Sequence, residues 1–285
     1  MNRPGIAAVV VWYKPEKSLG VNINSYLPDI EKLYIVDNSE EPDPEMHAMF
    51  SEHSKVQIIT SRQNLGIAKA LNIGITEAAN AGYEWLLTMD QDSFFEKAVF
   101  EKYLDACFNY TGPAALFGLP YDPAFPKNAA ADQLYVPVVS MITSGNLVNV
   151  SIARSIGGFD EKLFIDEVDH DFCYRAGIAG YEVICVRAGL LQHSLGESRI
   201  VSNTIGSGKK KTTLHNPIRL YYMVRNGLYI ADKYAKTYPA QSKKRKKIIY
   251  VTLKNNLLHG SKKIASLRFA TLGLYHYIKK RYHKL

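Results

Sequence analysis

Apolar runs of four to seven residues recur along the first ninety positions, and each stops at a polar side chain. Ile6 to Trp12 ends at Tyr13, Leu33 to Val36 at Asp37, Val56 to Thr60 just before Asn64, and Trp85 to Met89 at Asp90. The runs are short, rich in valine and isoleucine, and do not alternate with polar residues, which is the pattern of strands buried on both faces in a parallel sheet. Between them lie longer stretches with helical spacing. Pro15 and Pro44 stand where a helix begins, and Ala70, Leu71, Ile75 and Ala78 recur at three- and four-residue steps. Strands alternating with helices at this rhythm predict βαβ units with right-handed crossovers. On that topology the polar strand ends line one crevice, outside the carboxyl edge of the sheet, where ligands bind in open α/β folds.

The pattern continues less regularly. Glu96 to Tyr110 reads as a helix and Ala114 to Gly118 as a strand. Residues 120–132 hold three prolines and read as a surface loop. Tyr135 to Ile142 is β-rich, Leu147 to Val150 is a further strand, and Gly157-Gly158-Phe159-Asp160 is a turn. From Phe164 to Asp171 four acids fall within six residues at the start of a helix that runs on through Cys173, Tyr174 and Ala176. Acids in a first turn complement the helix dipole at about 0.3–1 kcal/mol each, which accounts for one or two of them and not four. Tyr181 to Val186 is another strand, followed by His193. Residues 194–213 are rich in glycine and serine with Lys209-Lys210-Lys211, the composition of a mobile lid. Beyond Asn216-Pro217 the pattern is helical to about Tyr282, with a break at Gly260-Ser261.

Charge divides the chain. Residues 1–200 carry 15 Lys+Arg against 26 Asp+Glu, whereas residues 201–285 carry 20 Lys+Arg and one acid, Asp232. A tail this basic expects an anionic partner. Its apolar positions Ile264, Leu267, Thr271, Leu274 and Ile278 form a stripe, and stripe plus charge fit an anionic membrane surface better than nucleic acid, which is not an expected partner. The alternative is a helix that packs this stripe on the rest of the protein. The three cysteines lack metal-type spacing and read as reduced core residues of an intracellular protein. The apolar start is too short to span a bilayer and lacks a small-residue cleavage site. The chain is therefore expected to be cytoplasmic, peripheral on the inner face of the cell membrane, and neither secreted by a standard signal nor integral.

The segment that carries chemistry is WLLTMDQDS, residues 85–93. Two carboxylates, Asp90 and Asp92, follow a buried strand, and oxygen ligands at a strand end suit magnesium or manganese, which in turn bind phosphate oxygens. A lone D-x-D is weak evidence of such a site. Its neighbours strengthen it. VVVWYKP at the start, IVDNS at 35–39, NLGIAKALNIGI at 64–75, TSGNLV at 143–148, GGFDEKLFIDEVDHDFCYRAG at 157–177 and NPIRLYYMVRN at 216–226 stand in one order and spacing. Together they resemble family 2 glycosyltransferases of the GT-A fold, most of all the bacterial rhamnosyltransferase branch, over roughly residues 6–235.

The resemblance implies an α/β fold, a Rossmann-like nucleotide-binding mixed sheet flanked by helices, with a basic helical C-terminal extension. It places a catalytic domain at 1–213, with a nucleotide-binding half at 1–93 and an acceptor half at 94–213, and the extension at 214–285. It implies an inverting transfer of a sugar, foremost L-rhamnose from dTDP-rhamnose, to a glycan or lipid-linked glycan in cell-surface polysaccharide synthesis. A UDP-sugar donor remains open, because uracil and thymine offer the same ring N–H. Asp37 would accept from that N–H, Tyr13 would flank the base, and Arg62, Asn64 and Gly66 would lie near the nucleotide. Asp90 and Gln91 would face the donor, Ser144 and Gly145 the space below its sugar. Asp90 and Asp92 would hold Mn2+ or Mg2+, with His193 either completing the set or serving as a structural hydrogen-bonder. The general base would be Asp169, or Asp166, since Val168 stands where the family usually has a glutamate.

Other classes fit less well. No G-x-G-x-x-G follows the first strand, which disfavours a dehydrogenase, and the glycine-rich basic loop of a nucleotidyltransferase is missing there too. No Ser-His or Cys-His arrangement offers a rival nucleophile. A basic-tailed nucleic-acid-binding protein is the alternative from another class, but residues 1–200 present no basic face.

Overall fold

A computed structural model describes residues 4–127, 129–130, 132–193, 198–202 and 209–285. The strands are β1 (Ile6–Trp12), β2 (Lys32–Asp37), β3 (Val56–Thr60), β4 (Trp85–Asp90), β5 (Phe94–Phe95), β6 (Ala114–Gly118), β7 (Tyr135–Pro137), β8 (Asn146–Asn149), β9 (Glu182–Val186), β10 (Leu191–Gln192), β11 (Ser198–Ser202) and β12 (Lys209–Thr213). The α-helices are α1 (Pro44–Ala48), α2 (Ile67–Asn80), α3 (Val99–Asn109), α4 (Val150–Ser155), α5 (Val168–Ile178), α6 (Pro217–Lys233), α7 (Pro239–His259) and α8 (Lys263–Ile278). They form two compact units, Met1–Phe164 with Val168–Ser194, and Ile165–Glu167 with Leu195–Leu285.

The first unit is built on an eight-stranded sheet of order β3-β2-β1-β4-β8-β6-β9-β7. Strands β3, β2, β1 and β4 are parallel, as the alternation of strand and helix requires, and β8 and β7 run antiparallel to their neighbours, so the sheet is mixed. The uninterrupted apolar runs are explained by burial on both faces: all seven residues of β1 are buried, and so are Leu33 to Asp37 and Trp85 to Met89. Each such valine, isoleucine or leucine contributes about 1.5–3 kcal/mol relative to exposure. Helix α2 lies close over β1, because Gly74 presents no side chain there: a Cβ at this position would stand 2.6 Å from Val9 Cβ. The register sets Trp12 beside Asp37 and Val11 beside Asp90, which brings the polar ends of three strands to one edge.

Four local expectations change. After Pro15 the chain forms a 3-10 helix, Lys17–Ser25, in place of an α-helix, where Gly20, Asn22, Asn24 and Ser25 are poor helix formers. The helix expected from Glu96 begins at Val99, because Ala98 takes a left-handed conformation (φ 66°) and Phe94–Phe95 pairs with Leu191–Gln192. Only Tyr135–Pro137 of the β-rich stretch is strand, and Pro137 has no N–H to extend the ladder. The stretch read as a mobile lid contains an antiparallel ribbon of β11 and β12, and the rest of that expectation, at residues 194–197 and 203–208, lies outside the described residues.

In the second unit α6 is the central element. Asn216 caps it through its Oδ1 and Pro217 occupies its first turn. Arg225 is fully buried on α6, its guanidinium 5.1 Å from the ring centroids of both Tyr221 and Tyr222, donating to the Tyr221 hydroxyl and the His283 carbonyl. Helix α8 packs against α6 through small residues: Ser266, Ala270 and Gly273 are buried, and a Cβ on Gly273 would meet the Tyr221 carbonyl at 2.5 Å. Helices α7 and α8 break at Gly260 as expected. Among the described residues, no helix is long and apolar enough to cross a membrane.

Candidate active site

The end of β4 is held from two sides. Ser144 is fully buried and its hydroxyl accepts the Asp90 N–H at 3.0 Å, while Gly145 donates to the Thr88 carbonyl at 2.8 Å. Gly145 has a φ of 74°, and a side chain there would strike Leu191. The Ser144-Gly145 turn is thus a brace for Asp90. Gln91 braces the other side. Its amide accepts from the Tyr13 N–H at 2.9 Å and its carbonyl accepts from Asn22 at 3.0 Å, so the middle residue of D-x-D ties the ends of β1 and β4 together. Tyr13 itself is exposed.

Strand β5 turns back after Ser93 and pairs with β10, which delivers His193 to a site a hundred positions earlier in the chain. Its Nδ1 lies 2.8 Å from the Ser93 hydroxyl and 3.5 Å from Asp92 Oδ1. The hydrogen bond to Asp92 raises the imidazole pKa, against the opposing effect of burial and with help from the charges of Asp90 and Asp92. Asp90, Asp92 and His193 each bring a ligand atom within 4.8 Å of the others. Two carboxylates and an imidazole, partly buried at one strand edge, are a donor set that fits manganese or magnesium. Tyr121, just beyond β6, stands edge-on to the His193 ring with centroids 6.1 Å apart. Burial, then the charges of Asp122 and Asp169, raise its phenol pKa.

Asp169 begins α5, accepting the His170 N–H at 2.8 Å and facing the His170 ring nitrogen at 2.6 Å. Asp171 is fully buried and pairs with Arg175, whose guanidinium also donates to the carbonyls of Ile156 and Gly158. That acid therefore anchors the glycine turn before α5. Within the second unit, Asp166 pairs with Arg219 at 3.1 Å and Glu167 with Arg245 at 3.0 Å, while Asn226 donates to the Ile165 carbonyl. Both acids, Asp166 and Glu167, have left-handed backbone (φ 62° and 67°), a conformation costing of order 1–3 kcal/mol that these contacts hold in place. The four acids that a helix dipole cannot explain thus divide into Asp169 beside an imidazole and three with arginine partners.

The remaining predicted residues have clear places. Asp37 is buried, accepts from the Ser39 N–H and lies 2.7 Å from His47 Nε2. Asn64 accepts from the Gly66 N–H, and Gly66 (φ 84°) lies so close to Phe164 that a Cβ would be 2.6 Å from its carbonyl oxygen. The close approach that Gly66 permits is thus made by the protein's own backbone. Arg62 is exposed beside it. His47, Tyr121, His170 and Arg219 were not foreseen from the sequence. Arg219, inside NPIRLYYMVRN, and His170, inside GGFDEKLFIDEVDHDFCYRAG, stood in stretches already marked; His47 and Tyr121 acquire their partners through tertiary placement.

Residues 8–115 match the family model described as Glycosyl transferase family 2. The chain is 29% identical to dTDP-rhamnosyl transferase RfbF of Shigella flexneri, an alignment covering 80% of each protein. Among solved structures it resembles S. aureus TarS 1-349 in complex with UDP-GlcNAc, at a TM-score of 0.58 and 13% identity over 97% of this chain and 81% of that one. It also resembles GalNAc-T7 with UDP, GalNAc and Mn2+, at a TM-score of 0.57 and 11% identity, over 67% of this chain and only 44% of that one. These structural likenesses carry the GT-A fold, as expected, and with residues 8–115 matching the family 2 model and most of the chain aligning with a dTDP-rhamnosyl transferase, the chain is a glycosyltransferase.

Proposed function

We propose that this enzyme transfers L-rhamnose from dTDP-rhamnose, with inversion, to a hydroxyl of a glycan or lipid-linked glycan in cell-surface polysaccharide synthesis. The observation that carries the reading is the Asp90, Asp92 and His193 cluster at the carboxyl edge of the parallel strands, in a chain that aligns over most of its length with a dTDP-rhamnosyl transferase. In this reading Asp90, Asp92 and His193 hold a divalent cation. Bound Mn2+ or Mg2+ supplies the positive charge that stabilises the departing nucleoside diphosphate. Tyr13 flanks the base from its exposed position, Asp37 and the Arg62-Asn64-Gly66 turn border the nucleotide, and the Ser144-Gly145 turn keeps Asp90 aimed at the crevice.

Asp169 takes the acceptor proton. Its partner is an imidazole, His170, at 2.6 Å, whereas Asp166 faces a guanidinium whose charge is permanent. As the acceptor oxygen attacks, its proton passes to the Asp169 carboxylate and the C–O bond to the diphosphate breaks, with no covalent enzyme intermediate. The basic C-terminal unit, in the same reading, holds the enzyme peripherally on the cytoplasmic face of an anionic membrane, where a lipid-linked acceptor resides.

The test is transfer from a panel of dTDP- and UDP-sugars to a water-soluble acceptor analogue, with manganese or with chelator. We expect turnover with dTDP-rhamnose, loss of it in chelator, and loss of both turnover and cation-dependent nucleotide binding in Asp92→Asn. Full activity in excess chelator overturns the cation assignment, and preference for a UDP-sugar overturns the donor.

A further inference from the structure

Helix α8 is turned the wrong way round for a helix of a soluble core. Its inner face is narrow and made of small residues, Ser266, Ala270 and Gly273. The large apolar residues face out: Ile264 is 87% exposed, Leu267 53%, Leu274 43% and Ile278 64%. Their spacings of three, seven and four residues put them on one stripe. Contiguous apolar surface of this kind on a soluble protein marks an interaction site.

We propose that this face of α8 lies in the headgroup layer of an anionic membrane, which deepens the peripheral placement proposed above by naming the surface that makes it. Charge selects this occupant. From Pro239 to Leu285 there are thirteen Lys and Arg and no Asp or Glu. Lys262, Lys263 and Arg268 at one end of the stripe, and Lys279, Lys280 and Arg281 at the other, are all exposed. A second copy of the chain would bring the same cations against these and be repelled, whereas an anionic leaflet attracts the cations and accepts the stripe. Tyr275, 46% exposed beside Leu274, offers the amphipathic ring that settles at headgroup level. With 16 residues α8 is too short to span a bilayer, and a helix with an apolar stripe and basic flanks lies in the interface plane.

The experiment is flotation of the full chain with neutral phosphatidylcholine vesicles and with vesicles containing anionic phosphatidylglycerol, at low and high salt. We expect flotation with anionic vesicles, weakened by salt. The combined variant Ile264→Ser, Leu267→Ser, Leu274→Ser, Ile278→Ser should float about tenfold less or worse, with its melting temperature kept because every changed residue is exposed. Leu267→Trp, read against the two buried indoles Trp12 and Trp85, should shift its emission to the blue on anionic vesicles. Wild type that stays in solution with anionic vesicles overturns the inference. So does a serine variant that floats like wild type, which would leave charge alone at work, or a dimer of the wild type that the serine changes abolish without any vesicle binding. Turnover on a water-soluble acceptor separates this inference from the enzymatic reading. The serine variant should retain that turnover, and a wild type inactive with dTDP-rhamnose that still floats would remove the donor and leave this face standing.

Discussion

Asp166 and Asp169 stand three positions apart and are set for different tasks. Asp166 is fixed by Arg219 on a left-handed backbone, and Asp169 sits in the first turn of α5 against His170. Asp169→Asn removes the proposed proton acceptor while keeping shape and the bond from the His170 N–H. We expect turnover to fall by about 10²–10⁴ with nucleotide binding unchanged, measured by steady-state kinetics and calorimetry. Asp166→Asn should cost far less turnover but lower thermal stability, and the reverse pattern would hand the role of base to Asp166. Site residues whose chemistry follows from a strand end were legible in the sequence: Asp90 and Asp92 close a buried apolar run, and the structure adds His193 to them. Tyr121 was not legible, because it sat in a proline-rich loop with no pattern of its own. Its value comes from β6 and β10 ending side by side, with Leu191 N–H bonded to the Pro120 carbonyl.

Elements were legible where one force dominates. Strands β1 to β4 are buried on both faces, so the apolar run alone defines them, and the sheet order of the first half follows from short right-handed crossovers. The outward stripe of α8 was one of the two readings that the sequence allowed, the other being the usual rule that turns large apolar residues inward. What reverses it is close approach: the glycine and alanine face lets α8 lie against the α6 backbone, which large side chains would prevent. This can be measured at Gly273. Alanine favours a helix by about 1 kcal/mol over glycine, yet its Cβ would stand 2.5 Å from the Tyr221 carbonyl, a backbone atom that cannot swing aside. The clash should win, overpacking costing about 1–3 kcal/mol. Gly273→Ala is therefore expected to lower the denaturant midpoint, and Gly273→Val to lower it further. An unchanged or raised midpoint in Gly273→Ala would mean that α8 does not approach α6 so closely.

At the scale of the whole molecule the chain divides its labour unevenly with its sequence. The first unit contains the complete eight-stranded sheet and the Asp90, Asp92 and His193 cluster. The second unit takes back three residues, Ile165–Glu167, from the middle of the first, and it holds them with Asn226 and Arg219 of α6 and Arg245 of α7. Val168, the next residue, opens the helix that carries Asp169. The C-terminal helices are therefore joined to the proposed base through chain connectivity, whatever they do at a membrane. A chain ending after Tyr238 tests this. It loses Arg245, and with α8 it loses the cover over Tyr221 and the His276 partner of that tyrosine's hydroxyl. Buried Arg225 loses the His283 carbonyl as well. The strained conformation at Asp166 and Glu167 then lacks much of what holds it, and the start of α5 is free to shift. A displacement of about 1 Å in a reacting group can cost about 10²-fold in rate. We expect the truncated chain to bind nucleotide and manganese within about threefold of the full chain, since the residues proposed for that binding lie before Ser194. We expect it to transfer sugar to a water-soluble acceptor about 10²-fold more slowly, an assay in which membrane contact plays no part. The serine variant of the α8 stripe should keep its rate in that assay, so the two variants separate loss of a surface from loss of a brace. Undiminished turnover after truncation would show that the 165–167 segment holds its shape without the helices behind it.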